Sequence, residues 1–83
     1  MKGFFLKPDL SVYFIAMPLI GIYIKADYDK AKTFDDLVQL VWLWFEISEK
    51  TTNEVKAKWY YTAASCLYQI LTGRSYESQL NIN

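Results

Sequence analysis

Histidine is absent from this chain, cysteine occurs once, and there are three glycines and two prolines. Without histidine the commonest general base and the commonest metal ligand are both missing. The single Cys66 can form no internal disulfide, and no cysteine pair exists to bind zinc. One free thiol suits a reducing compartment, and a cytoplasmic location is expected. Ser65 precedes Cys66, but no serine–histidine–acid triad can be built. The glycines, at positions 3, 21 and 73, are too scattered for a phosphate-cradling loop. Net charge is also missing: nine basic residues balance nine acidic ones, which argues against a general polyanion binder.

The acidic residues offer little chemistry. Asp27 and Asp29 in "ADYDKAK" stand two apart, as at the start of a calcium loop. The third oxygen ligand, the glycine and the closing glutamate that such a loop needs are not there, so both read as solvated turn carboxylates. Asp35 and Asp36 point in different directions on a helix and serve its N-terminus better than they would serve as an acid–base pair. The chain is expected to be no enzyme and to carry no metal or cofactor.

What is abundant is apolar surface. Hydrophobic residues make up 53% of the chain and aromatic ones 18%, against a usual apolar share of ~45–50%. Such a composition excludes disorder, which needs low hydrophobicity and high net charge. Eighty-three residues fit one domain, 1–83. A chain that short buries little more than ~60% of its unfolded surface, so some large apolar groups must stay exposed until a partner or a membrane covers them.

Along the chain, "MKGFFLKPDLS" does not read as a signal peptide, because Lys7 and the turn-forming Pro8-Asp9 interrupt its apolar run. Leu10 to Ile24 is fifteen residues without a charge, just short of the ~17–25 that span a bilayer. The stretch is dense in β-branched and aromatic residues, which suit a pleated surface. Pro18 and Gly21 lie inside it, where a helix would lose ~3 and ~1 kcal/mol and a turn would use both. The composition therefore predicts strands at Leu10–Met17 and Ile20–Lys25, preceded by a short one at Gly3–Lys7. The expected fold is α+β: a three-stranded antiparallel meander followed by a two-helix hairpin, with the change from strand to helix between residues 26 and 33. The alternative is all-α, with a kinked helix over residues 10–25.

The second half carries clearer signals. Thr33 with Asp36 three residues on predicts an N-cap, with Asp35-Asp36 favouring the helix dipole. Thr51 with Glu54 predicts a capping box, and Gly73 a left-handed stop, for a second helix over 52–72. On that helix the spacing puts Val55, Trp59, Ala63, Cys66, Leu67 and Ile70 on the core side. On the first helix Phe34, Leu37, Val38, Val41 and Phe45 form the core stripe. Leu40, Trp44 and Ile47 widen it to one side, Trp42 to the other, and Leu43 sits among polar neighbours. The apolar arc passes half the circumference, where ~100° is normal.

One helix of so small a domain cannot be covered on every side by its own chain, and exposed apolar patches usually mark interfaces. Leu40, Trp42, Leu43, Trp44 and Ile47 are therefore the expected contacts of a homo-oligomer. The function expected is a non-enzymatic, self-associating interaction or assembly protein, a type common among viral and mobile-element accessory proteins, acting on itself or on an unidentified protein partner. The second reading is a nucleic-acid-binding oligomer, with Lys30, Lys32, Lys56 and Lys58 interleaved with Tyr60 and Tyr61 in the manner of single-strand binders. The third is membrane association through Leu10–Ile24.

Overall fold

A computed structural model describes residues 7–74, and within them the chain is entirely helical. Four helices follow in order: α1 (Ser11–Ala16), α2 (Ile20–Lys30), α3 (Phe34–Lys50) and α4 (Glu54–Thr72). The expected meander is overturned. The stretches read as strands, Leu10–Met17 and Ile20–Lys25, form α1 and the first half of α2, and the all-α alternative fits. Of the strand expected at Gly3–Lys7, residues 3–6 lie outside the described residues and Lys7 is in no regular element.

Pro18 and Gly21 explain the difference. Pro18 does break the chain, but between two helices. Met17 before it is extended (φ −82°, ψ 152°), as a residue preceding proline must be, and this ends α1. The Pro18 carbonyl then accepts from the Gly21 N–H at 2.8 Å, so proline stands where its missing N–H costs nothing. Gly21 is inside α2 for reasons of space. A Cβ built on it would lie 2.8 Å from the Met17 Cβ and 3.3 Å from the Phe14 carbonyl oxygen. The glycine lets the end of α1 close down on α2.

The two longer helices form the expected hairpin. At the start of α3 the Asp36 N–H donates to Thr33 Oγ1 (3.1 Å), and Asp36 Oδ2 accepts from the N–H groups of Thr33 and Lys32 (3.1 and 2.9 Å). These bonds hold the Asp36 carboxyl below its usual range. The cap of α4 falls two residues later than expected: Asn53, not Thr51, accepts from the Lys56 N–H. Thr51 instead closes α3 with its N–H and braces Asn53 through its hydroxyl. Gly73 ends α4 in the left-handed region (φ 74°), with its N–H on the Gln69 carbonyl at 2.7 Å.

The core lies where α2, α3 and α4 meet. Trp44, Ile24, Leu37, Leu67 and Val41 are its fully buried side chains, and Ala63 and Ala64 let α3 approach α4 closely. The face that α4 buries is rotated from the expected one. Tyr60, Ala63, Ala64 and Leu67 are buried, whereas Val55 and Ile70 are exposed and Cys66 is half-buried. Tyrosine reads as polar on a helical wheel, yet Tyr60 packs well because most of its ring is apolar. Phe34, expected in the core stripe of α3, is also largely at the surface.

Candidate interaction surfaces

The residues expected to form one interface on α3 are dispersed by the structure. Trp44 is wholly buried and Leu40 nearly so, both within the chain's own core, and Ile47 packs against that core. The Trp44 indole N–H donates to Asp27 Oδ2 on α2 at 3.4 Å, which gives a buried tryptophan the polar partner it needs. Trp42 and Leu43 remain about half exposed, at 52% and 44%. They face different ways, as neighbours ~100° apart on a helix must. Trp42 borders a shallow apolar hollow of about 140 Å³ between α3 and α4, with Phe34, Val38, Tyr68 and Leu71. Its ring stands 6.2 Å from Tyr68 and 5.8 Å from Phe45, and Phe45 in turn meets Tyr61 at 5.6 Å. Leu43 borders a more polar hollow between α2 and α3, beside Asp27, Lys30, Asp36 and Gln39.

The lysine–tyrosine set is likewise not assembled into a stacking platform. Tyr60 is buried, and burial, with the Asp27 carboxylate adding to it, pushes its phenol up. Tyr61 is half-buried against Phe45. Lys58 lies over the Trp59 ring at 5.4 Å, and the Lys32 ammonium donates to the Asp29 carbonyl at 3.2 Å. Lys30 ends α2, while Lys56 is in the first turn of α4.

Asp9, Asp27, Asp29, Asp36 and Glu46 are engaged in hydrogen bonds or ion pairs within the chain. Asp29 pairs with Lys25 at 2.8 Å one turn earlier, which lowers its carboxyl pKa. Among the described residues no three of histidine, cysteine, aspartate and glutamate come together as metal ligands would. Burial pushes the Cys66 thiol up, the opposite of what a reactive cysteine needs. No helix of the described residues is long and apolar enough to cross a membrane.

Among the described residues, the most exposed apolar side chains lie in and between the stretches expected to be strands. Val12 (77% exposed), Ile15 (83%), Leu19 (79%), Ile22 (64%) and Tyr23 (65%) follow one another along the outside of α1 and α2. Ile15, Leu19 and Ile22 border an open hollow of about 660 Å³ at the elbow between the helices, with Phe14 and Met17 also lining it. A signal for this face was present. Positions 10, 14, 17, 21, 24, 28 and 31 repeat at alternating steps of four and three and turn inward, while 12, 15, 19 and 22 repeat in the same way on the opposite side. Compared with protein-family models, curated proteins and solved structures, the chain matches none.

Proposed function

We propose that this chain is a self-associating interaction or assembly protein that works through binding rather than through catalysis. The observation that carries the reading is the exposed apolar face of α1 and α2, left over after the chain has completed a core of its own. Exposed apolar patches on a small domain favour a partner, because covering them removes from water the surface that folding left exposed.

The test is the mass in solution by light scattering across a concentration series, at low and high salt. Self-association predicts a mass that rises above the 9.8 kDa of one chain and survives added salt. A strict monomer at high concentration would overturn the reading. Binding to a single-stranded oligonucleotide that fades as salt rises would favour nucleic acid instead.

A further inference from the structure

We propose that the outer face of α1 and α2 is the subunit interface and that its occupant is the same face of a second copy of this chain. The inference rests on the self-association reading and adds the surface, the partner and the symmetry. Three observations support it.

The first is area. At roughly 150–200 Å² for a large side chain free of contacts, the exposed parts of Val12, Ile15, Leu19, Ile22 and Tyr23 amount to on the order of 600 Å². A standard interface takes ~800 Å² from each partner. The patch therefore falls at the lower end of what one half of a stable dimer buries.

The second is charge. From Leu10 to Ile24 there is no charged residue, and Lys25 at the margin is already paired with Asp29. A face without charge can meet its own copy about a two-fold axis with no like charges opposed.

The third is the state of α1 itself. It is six residues long and has no fully buried side chain, being held by Leu10 before it and by Phe14, whose ring stands 5.5 Å from Tyr28. So short a helix has little stability of its own. A second copy laid across Ile15, Leu19 and Ile22 covers α1 and the hollow at its elbow together.

The experiment uses the full chain. Ile15→Glu/Leu19→Glu and Ile15→Lys/Leu19→Lys are prepared separately, with helix content checked by circular dichroism. Both positions are exposed in one chain, so the fold is expected to stand. Each variant alone should weaken association by about a hundredfold or more, because like charges oppose one another across the axis. Mixed in equal amounts, the two should recover a dimer containing one of each. Trp42→Ala, run in parallel, should leave association unchanged. Variants that assemble as the unmodified chain does, or loss of assembly with Trp42→Ala alone, would overturn this surface while leaving self-association standing. A monomeric unmodified chain overturns both. A chain that is monomeric in solution but sediments with phosphatidylcholine–phosphatidylserine vesicles, and loses that binding in the Glu variant, would give the face to lipid.

Discussion

Trp44 is the largest fully buried side chain among the described residues. It is fully buried between α3 and its neighbours, and its indole N–H reaches across to Asp27 on α2. Trp44→Ala should therefore cost ~3–5 kcal/mol, the range for emptying a large aromatic site in a core. Trp42→Ala, at a half-exposed ring, should cost far less, and denaturant midpoints of the two variants side by side check the contrast. Tyr28 contributes to the alkaline limit, together with Tyr60 and Cys66, which burial also pushes up. Burial first, then the carboxylates of Asp9 and Asp29, push the Tyr28 phenol up to about 12, and its hydroxyl donates to the Pro8 carbonyl. A folded-state pKa raised above the unfolded value of 10.0 gives stability that is complete below pH 10 and is lost as pH climbs toward 12. Tyr28→Phe should be less stable at neutral pH, by the ~0.5–1.5 kcal/mol of a lost hydrogen bond. Its stability should then decline less between pH 10 and 12 than that of the unmodified chain, as thermal melts across that range would show.

At the scale of the helices, Gly21 makes the sharpest prediction. Alanine is the better helix former by up to ~1 kcal/mol, so propensity alone says that Gly21→Ala stabilises. The added Cβ would meet the Met17 Cβ at 2.8 Å, and neither atom is the movable end of a side chain. Overpacking of that kind costs ~1–3 kcal/mol. A net loss in chemical denaturation is expected, and a gain would show that α1 can move off α2 without penalty. The same two helices mark the limit of what could be read from the residues. The Thr33–Asp36 cap, the turn back from α3 to α4 and the left-handed Gly73 were legible because each rests on neighbours within a few positions. In α1 and α2 two signals competed. β-branched composition favoured strands, while the steps of four and three favoured helix, and the chain is helical there, with α2 packed on α3 and α4 and α1 packed on α2. The candidate surface followed the same rule. That Trp42 and Leu43 stay partly exposed could be seen on a helical wheel. That Leu40 and Trp44 vanish into the core depends on Ala63, Ala64 and Asp27, which are remote in sequence.

For the molecule as a whole, stability is unevenly distributed. The most extensive contacts join α3 to α4, helices that are adjacent along the chain, and such local pairing favours rapid folding. The unit formed by α1 is attached at its margin, with no fully buried side chain of its own. In a native-state ensemble it is the segment that opens first, and a protease attacks the open form. Under the proposed pairing, that opening is suppressed in proportion to the concentration of copies available to cover it. Amide hydrogens of α1 should therefore exchange more slowly as protein concentration rises, while those of Leu37, Val41 and Leu67 stay protected throughout. Exchange in α1 that ignores concentration would contradict this. If it holds, the weakest helix becomes a gauge of abundance: surplus unassembled chains are the ones laid open to degradation, and the number of copies that survive is set by the number that have found each other.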